Sequence, residues 1–227
     1  MELTLIQKIV VWAPPVLLAI TLHEVAHGWV ARLFGDDTAY VMGRLTLNPL
    51  RHVDPIGTVV LPAVLVLLGS PFIFGWAKPV PVAFGNLRNP KRDMVYVALA
   101  GPLANLAMAL IWTLVTAFAI GMLPGMTYIA EPLMFMGAAG VLINVVLMVL
   151  NLVPIPPLDG GRVAVGLLPH PASRWVSYVE PIGLPILVAL LFTGILGLII
   201  GGPIFFISDK LMGLAGMDLR VLLQFLS

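Results

Sequence analysis

Long apolar runs separated by short polar turns dominate the hydropathy pattern of the chain. Runs long enough to form membrane-crossing helices cover about 9–34, 94–121, 131–152 and 178–200, since a helix needs roughly 20 residues to cross the hydrocarbon core of a bilayer. A shorter apolar run at about 56–70 is barely long enough to cross. We therefore expect an all-α polytopic membrane protein with about five to six membrane segments.

Prolines and glycines interrupt this pattern in two places. Residues 71–84, PFIFGWAKPVPVAF, are apolar but broken, which predicts a short re-entrant or extended segment packed against protein rather than a lipid-facing helix. Residues 153–161, VPIPPLDGG, contain three prolines and cannot form a regular helix. A short helix at about 162–168 is expected to follow them.

The two ends of the chain complete the predicted organisation. The run at 9–34 has no small-residue cleavage site followed by a soluble region, so we interpret it as a membrane helix rather than a signal peptide. Residues 204–226 mix charged and apolar positions, which predicts an amphipathic segment in the membrane interface. The whole chain, 1–227, is predicted to be one integral membrane domain, with a core at about 9–168 and a C-terminal span and amphipathic segment at about 178–226.

Composition excludes several classes of protein. Of the 227 residues, 60% are hydrophobic and 10% are charged, whereas soluble domains average about 25% charged residues. This excludes a soluble single-domain enzyme and a disordered protein. A net charge of +1 without a basic cluster argues against nucleic-acid binding. The absence of cysteine removes disulfide frameworks and thiolate metal sites.

The placement of lysine and arginine predicts the orientation in the membrane. Suppose that the C-terminal end of the first helix faces the cytoplasm and that 56–84 enter the membrane and return. Most of the basic residues then lie on the cytoplasmic side, as membrane proteins prefer: Arg32, Arg44, Arg51, Arg88, Lys91, Arg92, Arg162 and Arg174. Those left outside are Lys8, Lys210 and Arg220. We expect a multi-pass cell-membrane protein surrounded by lipid.

The first span contains three ionisable residues, His23, Glu24 and His27. Insertion scales place the cost of a charged residue such as Asp at the centre of a span at about 2.5–3.5 kcal/mol, so such residues suggest function. The two histidines are four positions apart and project from one helix face. This His-Glu-x-x-His pattern supplies two zinc ligands and a general base. The alternative is a buried polar cluster that fixes helix packing.

A catalytic zinc needs a third protein ligand and one open position for water. Asp159 lies between prolines and the pair Gly160-Gly161, in apolar surroundings. Since the prolines unwind the backbone and the glycines permit close approach, Asp159 is the expected third ligand of one Zn²⁺ per chain. The alternative is that Asp159 caps the short helix that follows.

These motifs together resemble those of the site-2 protease family of intramembrane zinc metalloproteases. The resemblance rests on His-Glu-Val-Ala-His at 23–27, paired with Asn-Leu-Val-Pro-Ile-Pro-Pro-Leu-Asp-Gly at 151–160. The segment Ala-Gly-Pro-Leu-Ala-Asn at 100–105 is also similar to a motif on that family's central helix. Because the chain shows no PDZ or nucleotide-sensing domain, it resembles a compact member.

The resemblance implies a three-helix core that holds zinc inside the membrane, nearer the cytoplasm. It implies that the zinc ligands are His23, His27 and Asp159, and that the general base is Glu24. It also implies substrate-binding roles for Asn151 and Asn105, with a helix-packing hydrogen bond as the alternative for Asn105.

The expected function is hydrolysis of peptide bonds within or near transmembrane segments of membrane-protein substrates, by a zinc-activated water. Two other classes stay open at this point: a metal transporter, and an inactive homologue that binds transmembrane partners. His52 is expected to lie in a loop at the headgroup level, with a gating or supporting role as its alternative. Trp76 and Lys78 are expected to be interfacial anchors, with a gating role as theirs.

Overall fold

Five apolar helices form the frame of the molecule. The structure is a computed structural model, which describes residues 3–67 and 75–219. The helices long and apolar enough to cross a membrane are α1 (Leu5–Leu33), α4 (Pro90–Met122), α5 (Thr127–Asn151), α7 (His170–Phe192) and α8 (Ile195–Leu214). The shorter helices are α2 (Thr38–Val41), α3 (Leu61–Leu67) and α6 (Asp159–Leu167). The described residues contain no strand, and the predicted all-α membrane class is confirmed.

Helices α1, α4 and α5 pack against one another and form the predicted three-helix core. Small residues let α4 and α5 approach closely, as is usual between membrane helices. A Cβ atom added at Gly137 would overlap the side chain of Thr116, and one at Gly140 would overlap the ring of Trp112. The short helix α6 packs on α4, so it returns the chain to this core directly after α5.

The chain folds back between α2 and α4, as the distribution of basic residues predicted. A π-helical turn at Pro55–Val60 leads into α3, and the chain returns as a non-helical segment at 75–83. The N–H of Trp76 donates to the carbonyl of Gly57 at 3.1 Å, and the N–H of Lys78 donates to that of His52 at 2.9 Å. The stretches of chain before and after the fold-back, at 52–57 and 76–78, therefore lie side by side. Residues 71–74 of the predicted re-entrant segment lie outside the described residues.

The C-terminal third departs from the prediction. Instead of one span at 178–200 followed by an interfacial segment, the chain forms α7 and α8, and both are long and apolar enough to span. The break falls at Gly194, whose φ of 74° lies in the left-handed region that favours glycine. An uninterrupted apolar pattern crosses this glycine, so periodicity alone does not reveal the break. The prediction of a single span there is wrong. Residues 220–226 lie outside the described residues.

Candidate metal centre

Two histidines of α1, His23 and His27, lie next to the carboxylate of Asp159, the first residue of α6. The Nε2 atoms of His23 and His27 lie 3.1 Å apart. Oδ2 of Asp159 is 3.3 Å from Nε2 of His23 and 3.2 Å from Nε2 of His27. Both histidines are buried and Asp159 is partly buried. The structure thus brings together the three residues predicted as metal ligands, although Asp159 lies 132 positions after His27 in the sequence.

The other ring nitrogens determine which tautomer each histidine adopts. Nδ1 of His23 lies 2.6 Å from Oδ1 of Asn105, and Nδ1 of His27 lies 2.7 Å from the carbonyl oxygen of Val97. Because a carbonyl oxygen only accepts hydrogen bonds, each neutral ring carries its proton on Nδ1. Both Nε2 lone pairs therefore face Asp159.

This arrangement fits a zinc ion. Zinc binds histidine nitrogen at about 2.0–2.1 Å in a tetrahedral set, which separates neighbouring ligand atoms by roughly 3.3 Å. The three ligand atoms lie at 3.1–3.3 Å from one another, and Oδ2 of Asp159 is buried without a hydrogen bond. Three proton-free atoms that face one another at this distance repel unless a cation lies between them. Two histidines and a carboxylate leave the fourth position open, as in catalytic zinc sites.

Gly101 leaves the space that the imidazole rings of His23 and His27 occupy. This residue of α4 lies against both histidines, and an added Cβ atom would be 2.7 Å from Nε2 of His23 and would overlap Nε2 of His27. Gly101 was not among the functional residues predicted from the sequence. The signal that could have found it is a glycine followed directly by Pro102 inside an otherwise regular apolar span.

The loop after α5 places Asp159 at the centre. An added Cβ atom at Gly160 would overlap the carbonyl oxygen of Leu152, and one at Gly161 would overlap the main-chain nitrogen of Pro156. The two glycines therefore let α6 begin directly against the proline-rich loop. Leu158 takes the N-cap position of α6 without a side-chain cap, and Asp159 is the first helical residue. The alternative capping role for Asp159 is thus not observed.

Glu24 lies beside the ligand pair and faces the extended segment. Its Oε2 accepts a 2.7 Å hydrogen bond from the main-chain N–H of Val80. The guanidinium of Arg44 in turn donates to the carbonyl oxygens of Lys78 and Pro79, at 3.0 and 3.3 Å. The carboxylate of Glu24, the residue after His23, is therefore held by the extended segment.

The amino-acid sequence of the chain is similar to those of known proteins. Residues 118–194 match peptidase family M50. The chain is 38% identical over 179 residues to the Bacillus subtilis protein named "Putative zinc metalloprotease YwhC", and the match covers 78% of each chain. The chain belongs to peptidase family M50. It is an integral membrane zinc metalloprotease of the site-2 type, as the motifs indicated.

Further relatives of this M50 protease carry a similar name. The chain is 34% identical over 185 residues to the Mycolicibacterium smegmatis protein named "Putative zinc metalloprotease Rip2", covering 78% of this chain and 64% of the relative. It is 34% identical over 148 residues to Rip2 of Mycobacterium tuberculosis, covering 63% of this chain and 52% of the relative. No solved structure matches the chain.

The two asparagines expected to bind substrate have different surroundings in this M50 protease. Asn105 is fully buried and its amide bonds inside the protein, to His23, Ala19 and Asn144. These hydrogen bonds include the helix-packing kind named as the alternative, and one of them reaches the candidate ligand His23; the substrate role of Asn105 stays a prediction. Asn151 is partly buried and gives one N–H to the carbonyl of Leu147 at 3.0 Å. Its substrate role stays a prediction.

His52 lies in a turn, as expected, but its side chain is buried in the protein, and its depth relative to the headgroups stays a prediction. His52 is only 1% exposed, and its Nε2 lies 2.9 Å from the carbonyl oxygen of Thr46. The main chain of His52 accepts the N–H of Lys78, as described above, so the residue braces the extended segment. Trp76 is 40% exposed and its ring packs against Gly57.

Asp36 ties the loop after α1 to the other end of the extended segment. Its carboxylate accepts the N–H of Ala83 at 2.8 Å and the amide of Asn86 at 3.1 Å, and it also bonds to Thr38. Burial raises the pKa of Asp36, but the hydrogen bonds from these three residues outweigh it and hold the pKa below its ordinary value. The extended segment is thus fixed at both ends of its passage over Glu24.

Proposed function

We propose that this M50 protease hydrolyses peptide bonds within or near transmembrane segments of membrane-protein substrates, with Glu24 as the general base. The observation that carries the proposal is the convergence of proton-free atoms of His23, His27 and Asp159 inside the helix core, with Glu24 directly after His23 in the same helix. A protease site needs a metal-bound water and an adjacent base. A metal transporter has no use for that base.

The residues of the site divide the chemistry between them. His23, His27 and Asp159 would hold the zinc, which would supply a bound water with its pKa lowered towards about 7. Glu24 takes the proton of that water and delivers it to the leaving amine nitrogen of the substrate. The amide of Asn151 has a second N–H besides the one given to Leu147, and we propose that it donates to the developing oxyanion.

The extended segment offers an edge to an unwound substrate. Successive residues of an extended chain point their N–H groups to opposite edges, and the N–H groups of Trp76, Lys78 and Val80 are all bonded towards the protein. The N–H and carbonyl of Ala77 have no hydrogen-bond partner among the described residues. A substrate strand that pairs there would have its own main chain satisfied in a medium without water.

We propose that the active site lies nearer the cytoplasm. The N–H of Arg88 donates to the carbonyl of Phe34 at 3.0 Å, so the end of α1 meets the start of α4. The ammonium group of Lys91 donates to the carbonyl of Leu168, at the end of α6. These contacts gather basic residues at the end of the helix bundle that we assign to the cytoplasm.

The test is cleavage of single-span substrates with a glycine or proline at mid-span, by purified protein in detergent. Glu24→Gln should lower the rate by about 10²–10⁴-fold, because proton transfer contributes that much, and its zinc content should equal that of the wild type. Glu131→Gln, an exposed carboxylate of α5, is the matched control and should cut at the wild-type rate.

Three outcomes would contradict the proposal. Glu24→Gln with wild-type activity would remove Glu24 as the base. Folded wild-type protein that does not bind zinc would remove the metal centre. Wild-type protein that binds zinc and captures these substrates without cutting any of them would favour the inactive binder.

A further inference from the structure

A polar pair lies buried between α4 and α5, away from any solvent. Asn105 and Asn144 are both 0% exposed, and Nδ2 of Asn105 lies 2.9 Å from Oδ1 of Asn144. Amide groups are costly in an apolar interior unless they are hydrogen-bonded. Nothing in the proposed chemistry uses Asn144, although it lies one hydrogen bond from a residue that contacts a metal ligand.

The hydrogen bonds of this pair fix the direction in which each amide points. Nδ2 of Asn144 donates to the carbonyl of Gly140, one turn earlier in α5, at 2.8 Å. Oδ1 of Asn144 is therefore turned towards Asn105 and accepts from it. Because Nδ2 of Asn105 donates to Asn144 and to the carbonyl of Ala19 at 3.3 Å, its Oδ1 is the atom that faces Nδ1 of His23.

We propose that Asn144 is a positioning residue for the metal centre, which acts through Asn105 to keep the proton of His23 on Nδ1 and its Nε2 free for zinc. The inference rests on the proposed function, in which His23 is a zinc ligand. Partners of this kind, beyond the ligands themselves, set the tautomer and orientation of metal-binding histidines.

Asn105 needs a partner that fixes its orientation, because a side-chain amide can turn over and a main-chain carbonyl cannot. If Asn144 were lost, the amide of Asn105 could turn over and present Nδ2 to His23. Nδ1 of His23 would then accept, and its proton would lie on Nε2, pointing at Asp159 where the metal binds. The tautomer of His27 does not depend on a side-chain amide, because its Nδ1 bonds to the main-chain carbonyl of Val97, which is fixed within α4.

The experiment measures zinc affinity and histidine tautomers in the full chain. Asn144→Leu, of similar volume, should weaken zinc binding by about 10-fold or more, the lower end for changes of this type, and Asn105→Leu at least as much. Asn144→Asp should retain affinity within a few-fold, since a buried carboxylic acid stays neutral and can donate to Gly140 and accept from Asn105.

Thr116→Val is the matched control for the loss of a buried hydrogen bond. Thr116 lies in the same interface of α4 and α5, is fully buried, and bonds only to the carbonyl of Trp112 in its own helix, at 2.9 Å. This variant should bind zinc like the wild type. The second readout is ¹⁵N NMR of zinc-free protein labelled at its four histidines, in which Asn144→Leu should shift the tautomer of His23 and leave that of His27 unchanged.

Each contrary result overturns a different claim. Wild-type zinc affinity and an unchanged His23 tautomer in Asn144→Leu would make Asn144 a packing residue only. A zinc-free wild type whose His23 carries its proton on Nε2 would overturn the inference without any variant, should Asn144→Leu not fold. Retention of zinc by His23→Ala would instead contradict the ligand assignment in the proposed function.

Discussion

The main-chain N–H of Val80 donates a 2.7 Å hydrogen bond to Oε2 of Glu24. The candidate base is thus bonded to the extended segment at 75–83 rather than to another side chain. The side chain of Val80 also packs close to Gly28, one turn after the base on α1. Glu24 and the extended segment at 75–83 are therefore held together, and the position of the segment determines the position of the Glu24 carboxylate.

Val80→Pro should lower activity and leave zinc binding unchanged. Proline removes the N–H that binds Glu24, and the residue before Pro81 is already restricted to extended conformations. A hydrogen bond to a charged group contributes about 1.5–3 kcal/mol, so we expect a loss of roughly 10–100-fold in kcat/KM. Cleavage assays and metal analysis of the same samples measure both.

Val80→Ala is the control for this prediction, because it shortens the side chain and keeps the N–H. It should retain most of the activity. Equal activity in Val80→Pro and the wild type would show that Glu24 does not need this donor, and equal losses in both variants would assign the effect to the side chain.

Gly101→Ala should abolish zinc binding without unfolding the protein. The added methyl group would occupy the space between α4 and the Nε2 atoms of His23 and His27, where the metal binds. Gly121→Ala, in the same helix with open space around the added atom, should bind zinc normally and gain up to about 1 kcal/mol from helix propensity. Zinc titration and thermal unfolding in detergent compare the two, and wild-type zinc affinity in Gly101→Ala would contradict the site.

Asp36→Asn should be destabilised at neutral pH and less so in acid. At neutral pH the variant places an amide against the N–H of Ala83 in place of a carboxylate oxygen, at a cost of about 1–3 kcal/mol for an unsatisfied buried group. Because folding lowers the pKa of Asp36, its contribution is complete above the unfolded pKa of about 3.9 and is lost as the pH falls through the lower folded pKa. The stability difference between wild type and variant should therefore shrink below about pH 4.

Asp37→Asn separates this effect from general surface electrostatics. Asp37 pairs with Arg32 at 3.0 Å, and its side chain is 63% exposed, so the variant should change stability by less than about 1 kcal/mol. Thermal unfolding of both variants across the acid range is the measurement. A pH-independent deficit in Asp36→Asn would mean that its carboxylate is not the stabilising group.

The candidate ligands of the metal centre could be identified from the sequence because ionisable residues are conspicuous in apolar surroundings. His23, His27 and Asp159 carry groups that a membrane helix excludes unless they have a task. Asn144 gave no such signal, since a neutral amide in an apolar helix has many uses and its partner lies 39 positions away. The importance of Gly101 likewise depends on which rings lie opposite it, which only the packing of α1 on α4 reveals.

Hydropathy predicted the membrane segments correctly where polar turns separate them. The prediction failed where no polar turn separates two helices. The spans of α1, α4 and α5 were predicted to within a few residues at each end. The break between α7 and α8 lies at a single glycine within apolar sequence. The contact between His52 and Lys78 was missed because Lys78 lies more than twenty positions later in the sequence.

Gly183→Ala should weaken both stability and zinc binding, because α7 supports the loop that carries Asp159. An added Cβ atom at Gly183 would overlap the carbonyl oxygen of Pro156, so either α7 or the loop at 153–158 must move. Overpacking of this kind costs about 1–3 kcal/mol, and a displaced loop moves Asp159 away from the two histidines. Gly197→Ala in α8, with open space around the added atom, should leave zinc binding unchanged. A destabilised Gly183→Ala with wild-type zinc affinity would show that α7 packs on the core without holding the ligand loop in place.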